Sequence, residues 1–169
     1  VKELRNKIRL EEMPKRAALE KKYSHLEHGV SVVIGTHKGE AIIDRCLESL
    51  KNQTLDHSLF EVIFIINGER DNTDQKIQRA FMDTPGLDYK ILYSEKPSVA
   101  AARNTGIQSA RKKYICFLDD DDFFSEHYLK EMLALSDNTS VVFSQIVDFD
   151  EKGNFNPENI INKEIMRNK

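Results

Sequence analysis

The stretch YICFLDDDDFFSEHYL, residues 114–129, joins an apolar strand to a helix through four consecutive aspartates. Carboxylates placed side by side repel one another, by about 1 kcal/mol for each close pair even in water. A sequence that keeps four of them at the end of a strand is expected to place a cation there. Ser125 and Glu126 are typical of a helix start, as N-cap and first-turn acid.

The same order of strand and helix recurs along the chain. Apolar, β-rich runs occur at 30–35, 60–68, 88–95, 113–119 and 140–149, and amphipathic helical segments at 40–54, 73–84, 98–111 and 125–136. Continuous apolar strands separated by amphipathic helices are typical of a parallel sheet that is covered on both faces. The pattern predicts an α/β fold with a Rossmann-like, mostly parallel sheet and helices on both faces.

The chain divides into three predicted parts. Residues 1–29 read as a helical arm or linker, which Pro14 interrupts and Gly29 ends. Residues 30–150 form the α/β domain. Residues 151–169 are polar and Asn-rich, which is typical of a loop followed by a short helix.

Composition narrows the class of protein. The 169 residues are 40% hydrophobic and 31% charged, which suits one soluble globular domain. The net charge of −3 gives no general attraction to nucleic acid. Cys46 and Cys116 lie in apolar patterns, so we expect buried thiols and a reducing compartment. No apolar run is long enough to span a bilayer, and the sequence therefore predicts a cytoplasmic domain.

Polar segments follow three of the predicted strands: GTHKGE at 35–40, NGERDN at 67–72 and DDDD at 119–122. Ligands of open parallel sheets bind at the carboxyl ends of the strands. Carboxylates there suit Mg²⁺ or Mn²⁺, and a cation held by one or two of them keeps positions free for phosphate oxygens. A solvated acidic turn that caps the next helix explains the aspartates equally well. The residues alone leave both interpretations open.

The motifs VSVVIGTH, CLESLKNQT, FEVIFIING and AAARNTGIQSARKKYICFLDDDD occur in this order between residues 30 and 150. Together they resemble the nucleotide-binding half of a family-2 glycosyltransferase with the A-type fold. The resemblance implies binding of a nucleotide diphosphate sugar, UDP-linked, together with Mg²⁺ or Mn²⁺. It also implies inverting transfer to the hydroxyl of a saccharide or lipid-linked saccharide, in bacterial surface-polysaccharide synthesis.

The resemblance also implies roles for individual residues. The family's D-x-D element falls on residues 119–121, with Asp119 and Asp121 as the metal site and Asp121 as the direct ligand. Donor binding is implied for Gly35, Thr36, His37, Glu40, Asn67, Arg103, Asp119 and Asp120. Within this set His37 would stack on the base. Asn104 and Gly106 are expected to shape a turn.

The chain departs from the family pattern in three respects. Gly35 to Lys38 replace Pro-Thr-Tyr-Asn, and Ile66 and Asn67 replace an Asp-Asp pair, which leaves base preference open. An inverting transferase also needs a general base. In the family it lies well downstream of the acidic strand, so we expect it outside this chain, since Asp148, Asp150 and Glu151 qualify by charge alone.

Two further functions stay open. A nucleotidyltransferase would require a glycine-rich, basic loop after the first strand, and GTHKGE contains a single lysine. A non-catalytic nucleotide-binding or scaffold module with a degenerate site would explain Ile66, Asn67 and the missing base. The sugar, the acceptor and the oligomeric state are undefined, and peripheral association of the full-length protein with the inner face of the membrane stays open.

Overall fold

A computed structural model describes residues 21–95, 97–136 and 141–142. The strands are β1 (Glu27–Thr36), β2 (Phe60–Asn67), β3 (Asp88–Ser94) and β4 (Lys112–Phe117). The helices are α1 (Asp44–Lys51), α2 (Thr73–Phe81), α3 (Val99–Ser109) and α4 (Tyr128–Leu135). Short 3₁₀ turns lie at Gly39–Ala41 and His57–Leu59. The predicted strand at 140–149 lies outside the described residues except for Val141 and Val142, which are irregular, and the tail at 151–169 lies outside them entirely.

The four strands form one parallel sheet in the order β3-β2-β1-β4. Alternate residues of the central strands β1 and β2 point to opposite faces, because side chains in a strand have a period of two. Helices α1, α2 and α4 cover one face, and α3 covers the other. The first face buries Val32, Ile34, Val62 and Phe64 with Leu50, Ile77 and Leu129, and the second buries Val33, Ile63 and Ile65 with Ala102. The predicted α/β architecture is therefore confirmed.

Two helix starts differ from prediction. The segment from residue 40 begins with the 3₁₀ turn Gly39–Ala41, so α1 starts only at Asp44. Ser125 does not cap α4, because α4 begins at Tyr128 with His127 as its N-cap. The carbonyl of Ser125 instead accepts a hydrogen bond from the Tyr128 N–H at 3.0 Å, which forms a turn before the helix.

Gly29 does not end a helix, contrary to prediction. Residues 21–22 are helical, and Gly29 lies inside β1, where the pairing with β4 shifts register between Glu27 and Val30. Its φ of 141° lies in a region that side chains rarely adopt, and a methyl group there would lie 2.1 Å from the carbonyl oxygen of Leu59. Glycine is needed because another backbone approaches here.

Gly106 also has a different role from the predicted one. Both Asn104 and Gly106 lie inside α3 rather than in a turn. A methyl group at Gly106 would lie 2.2 Å from Cγ1 of Val33 and 3.2 Å from Cδ1 of Ile65. The glycine therefore lets α3 pack closely on the sheet, which brings the residues of α3 near the ends of β1 and β4.

Cys46 is fully buried, as predicted, whereas Cys116 is only half-buried, because it packs against the core from β4, which ends the strand order of the described sheet. Both are free thiols. None of the helices in the described part of the chain combines the length and apolar character needed to cross a bilayer.

A buried carboxylate, Glu61, holds the amino-terminal edge of the sheet together. Its oxygens accept hydrogen bonds from Ser31 Oγ at 2.7 Å and from the Arg111 N–H at 2.6 Å. Lys90 Nζ lies 3.0 Å away. Burial alone would raise the pKa of Glu61, but these donors and the Lys90 charge lower it to about 2. Glu61 is not among the residues predicted from the sequence, although an acid within an apolar strand is a visible signal.

The Glu61→Gln variant tests this network. The folded-state pKa of about 2 lies below the ordinary value of 4.5. Glu61 therefore stabilises the fold fully above pH 4.5, and this contribution is lost as the pH falls towards 2. We expect Glu61→Gln to lower the free energy of unfolding at pH 7 by up to about 3 kcal/mol, and to flatten its dependence on pH in that window.

Urea denaturation followed by circular dichroism at several pH values between 2 and 7 measures the effect. Glu131→Gln, at an exposed position on α4, is the control and should retain the wild-type pH dependence. Identical slopes for Glu61→Gln and wild type would show that Glu61 is not held in its charged form by these partners.

Candidate functional site

The ends of β1, β2 and β4 meet at the carboxyl edge of the sheet. Thr36, the last residue of β1, pairs with Ile66 near the end of β2. The last residue of β4, Phe117, pairs with Val33, and the Leu118 N–H then donates to the Val33 carbonyl at 3.2 Å. The segment after β1 and the acidic turn, residues 119–122, consequently emerge side by side.

Thr36 is buried at this edge with an unsatisfied hydroxyl. Thr36 is only 2% exposed. Among the described residues, its Oγ1 is the buried side-chain polar atom that has no hydrogen-bond partner. A methyl group at Gly39 would lie 2.2 Å from Thr36 Oγ1 and 3.0 Å from Oδ2 of Asp120. Glycine at position 39 thus lets the loop pass close to both the hydroxyl and the carboxylate. Gly39 is not among the predicted site residues, although it is a small residue next to them.

The acidic turn is compact and bears strong negative charge. The Asp122 N–H donates to the Asp119 carbonyl at 3.1 Å. Beneath the turn lies Cys46, whose pKa is raised to about 12, first by burial and then by the charges of Asp120, Asp122 and Asp121. A thiol held neutral in this way is inert at physiological pH. The negative charge of the turn therefore favours binding of a cation, or of an anion that carries a cation with it, over binding of an anion by itself.

Arg103 and Asp119, two predicted site residues, lie together. Arg103 Nη2 donates to Asp119 Oδ1 at 2.9 Å, and the two side chains are 41% and 58% exposed. The guanidinium also lies 5.3 Å from the centre of the Phe117 ring. At such exposure the ion pair contributes little stability, so it can be exchanged for contacts with a ligand at small cost.

The turn does not form a metal cage made of protein groups alone. Within residues 21–95, 97–136 and 141–142 no group of three or more His, Cys, Asp or Glu side chains could hold a metal ion. Mg²⁺ is usually bound by one or two carboxylates together with water and substrate phosphates. The exposed carboxylates of Asp119 and Asp121 fit that mode of binding, in which the substrate completes the site.

His37 and Asn67 connect β1, β2 and α3. His37 Nδ1 donates to the main-chain carbonyl of Asn67 at 2.5 Å, while the histidine remains exposed. Asn67 is almost fully buried, and its Oδ1 accepts from the Ser98 N–H at 3.1 Å. Gly68 lies against the His37 ring with a φ of 82°. His37 is thus held at the edge with its ring accessible, and the side-chain oxygen of Asn67 already has one donor.

Glu40 and Gly35 have contacts away from the acidic turn. The Glu40 N–H donates to Asp71 Oδ2 at 3.1 Å, and its carboxylate accepts from Asn72 Nδ2 at 3.1 Å. Glu40 therefore fastens the loop after β1 to the start of α2. Gly35 packs under α3, where a methyl group would lie 3.2 Å from Cβ of Ala102.

Asp71 adds a local restraint at the start of α2. Its Oδ1 accepts from the Thr73 N–H at 3.0 Å. Burial acts to raise the pKa of Asp71, but hydrogen bonds from Thr73 and from the Glu40 N–H outweigh burial and lower it. The hydrogen-bond donors stabilise the charged form of Asp71. Asp71 therefore stabilises the loop after β1 and the start of α2 rather than the acidic turn.

The chain is similar in sequence to known proteins. The model of the family "Glycosyl transferase family 2" matches residues 31–169. The putative glycosyltransferase EpsH of Bacillus subtilis is 34% identical over 127 residues, which cover 73% of this chain and 36% of EpsH. The glycosyltransferase AglE of Haloferax volcanii is 30% identical over 112 residues, which cover 66% of this chain and 36% of AglE.

Solved structures share the fold. Staphylococcus aureus TarS 1–349, crystallised with UDP, superposes with a TM-score of 0.58 at 26% identity, over 63% of this chain and 31% of that fragment. The Pyrobaculum calidifontis mannosyltransferase PcManGT, in complex with GDP-Man and Mn²⁺, superposes with a TM-score of 0.60 at 18% identity, over 71% of this chain and 39% of PcManGT. At this identity the similarity shows the fold alone. The matched region spans about a third of the length of EpsH and of TarS 1–349. On the family match and these relatives, the chain belongs to glycosyl transferase family 2.

Proposed function

We propose that this chain is the donor-binding domain of a glycosyltransferase and that it binds a UDP-linked sugar together with Mg²⁺ or Mn²⁺. The observation that carries the proposal is the pairing of an unsatisfied buried hydroxyl, Thr36, with the acidic turn across Gly39. A buried hydroxyl without a partner costs about 1–3 kcal/mol, and a ligand that bonds to it recovers this cost. TarS binds UDP and UDP-GlcNAc, which supports the choice of nucleotide.

The charges of the site support a diphosphate with a divalent cation. Arg103 compensates one of the four carboxylates of the turn. Asp121 would hold the cation directly, and Asp119, which shares its charge with Arg103, would contact the ribose or reach the cation through water. When bound, the cation would stabilise the negative charge of the departing diphosphate. The planar donors of Arg103 would orient the diphosphate oxygens.

The nucleoside would lie over the loop after β1. Thr36 offers a hydroxyl that can donate and accept, and Gly39 places no side chain against it. The exposed His37 ring, fixed by its bond to Asn67, would stack on the base. Because Asn67 Oδ1 already accepts from Ser98, this asparagine would hold the base less strongly than a free carboxylate would.

Membership of glycosyl transferase family 2 supports a proposal for the reaction of the whole protein. The acceptor hydroxyl would attack the anomeric carbon on the side opposite the nucleotide, which inverts its configuration. We place the general base outside this chain. A saccharide or lipid-linked saccharide acceptor, used in bacterial surface-polysaccharide assembly, would bring the full-length protein to the inner face of the membrane.

The Asp121→Asn variant tests the metal site. We expect Mn²⁺ to strengthen UDP binding to the wild-type chain at least about tenfold, since a divalent ion bridges carboxylate and phosphate. In Asp121→Asn that gain should disappear, while binding of UDP without metal persists. Isothermal titration of UDP with and without Mn²⁺ measures both quantities.

Asp83→Asn is the matched control, because Asp83 is an exposed carboxylate that follows α2. It should retain the full Mn²⁺ effect. An undiminished Mn²⁺ effect in Asp121→Asn argues against the proposed ligand. Tighter binding of nucleoside triphosphates than of UDP would favour a nucleotidyltransferase, and no nucleotide binding at all would favour a scaffold module.

The Thr36→Val variant separates stability from binding. Removing the unsatisfied hydroxyl should raise the free energy of unfolding by about 1 kcal/mol, and the loss of a ligand contact should weaken UDP binding about tenfold. Urea denaturation and UDP titration measure the two effects.

Thr73→Val is the control for this pair of measurements. Thr73 is equally buried, but its hydroxyl donates to Asp71 Oδ1. Its loss should lower stability by about 1 kcal/mol and leave UDP affinity unchanged. A Thr36→Val protein that is less stable than wild type and binds UDP normally refutes the assignment of Thr36.

A further inference from the structure

The chain that follows the acidic turn is fastened to the end of α1. The Phe124 N–H donates to Ser49 Oγ at 3.2 Å. Gln53 Nε2 donates to the Ser125 carbonyl at 2.8 Å, and the Thr54 N–H donates to the Glu126 carbonyl at 2.8 Å. We call these bonds, together with the Leu129 bond described next, the Gln53 clasp. They join segments more than 70 positions apart in the sequence, so they are tertiary contacts.

Gln53 is the centre of the clasp. Gln53 is only 6% exposed, and both the nitrogen and the oxygen of its amide form hydrogen bonds. Nε2 donates to the Ser49 carbonyl at 3.0 Å as well as to Ser125, and Oε1 accepts from the Leu129 N–H at 3.0 Å. A buried side chain that satisfies three main-chain groups is costly to replace, because each partner would lose its bond.

The acidic turn is therefore held at both ends. On its upstream side Leu118 is bonded to β1, and on its downstream side the Gln53 clasp holds residues 124–129. Phe124, 9% exposed, stacks on Tyr128 with ring centres 4.1 Å apart, which packs the downstream anchor. Four like charges between these anchors repel one another. Without the downstream anchor the turn would open, and its carboxylates would separate.

We propose that Gln53 is a positioning residue that sets where the carboxylates of the acidic turn stand relative to Thr36 and Arg103. It acts through the main chain of Ser125 and Leu129. The functional part of this inference rests on the proposed function, because it links the clasp to binding of the cation and the diphosphate. Thr36 and His37, which would contact the nucleoside, lie on β1 and the loop after it and do not depend on the clasp, whereas Asp119 in the turn would contribute through the cation.

The Gln53→Leu variant tests the proposal on the full 169-residue chain. Leucine fills a similar volume but makes none of the three bonds. We expect UDP binding without metal to change less than about twofold, and the strengthening of UDP binding by Mn²⁺ to fall about tenfold. A loss confined to the metal-dependent part is what positioning predicts, whereas a general loss of packing would reduce both affinities together.

Two control variants accompany this test. Asn52→Ala removes the neighbouring amide, whose Nδ2 bonds to exposed Glu48 on the same helix, and should leave both affinities unchanged. Glu61→Gln lowers stability at the opposite edge of the sheet and should also preserve the Mn²⁺ effect. If Glu61→Gln reduces that effect as much as Gln53→Leu does, the positioning role is refuted.

Hydrogen exchange separates failure of the clasp from failure of the proposed function. In Gln53→Leu the amides of residues 119–126 should exchange at least about tenfold faster than in wild type and in Asn52→Ala. If Mn²⁺ has no effect on UDP binding to the wild type, the proposed function fails, and the exchange rates still decide whether Gln53 holds the turn. If the amides of residues 119–126 exchange in Gln53→Leu at the wild-type rate, the proposed positioning role of Gln53 is refuted.

A variant with a smaller change covers the case in which Gln53→Leu does not fold. Ser49→Ala removes the acceptor of the Phe124 N–H and, within α1, the hydroxyl bond to the Cys46 carbonyl. It should reduce the Mn²⁺ effect about threefold and speed exchange at Phe124. A folded Ser49→Ala protein with wild-type exchange and a wild-type Mn²⁺ effect contradicts the proposal.

Discussion

Mutual repulsion of the aspartates at the end of β4 is the constraint on which the site depends. The fold opposes it by fixing the chain on both sides of the turn, at Leu118 and at Ser125. Arg103 compensates part of the charge at Asp119. The remaining negative charge is strong enough to help keep the buried Cys46 thiol neutral. A turn held in this way would suit the proposed divalent cation, because folding already holds the carboxylates together.

Close packing at glycines brings the parts of the site together. Gly106 lets α3 lie against Val33 and Ile65, and Arg103 on the same helix then reaches Asp119. Gly39 lets the loop after β1 pass beside Thr36 and Asp120. At each position a side chain would collide with a neighbour from another element. The geometry of the site thus depends on residues that carry no functional group.

The sequence was sufficient for the architecture, because long apolar strands and amphipathic helices have distinct periods. It also identified the edge where Thr36, His37, Arg103 and Asp119 lie. It could not identify features that depend on contacts distant in sequence. The approach of Leu59 to Gly29 is invisible in the sequence, which therefore predicts a helix end there. The bonds that Gln53 makes to Ser125 and Leu129 likewise leave no local pattern.

The central claim is that the acidic turn and Thr36 bind one ligand, a nucleotide diphosphate with a divalent cation. A crystal structure of this chain with UDP and Mn²⁺ tests it most directly. We predict a cation at about 2.0–2.3 Å from a carboxylate oxygen of Asp121, diphosphate oxygens beside Arg103, and a nucleoside in hydrogen-bonding contact with Thr36 Oγ1. A structure in which UDP and Mn²⁺ bind elsewhere, with the aspartates directed into solvent, would contradict the account.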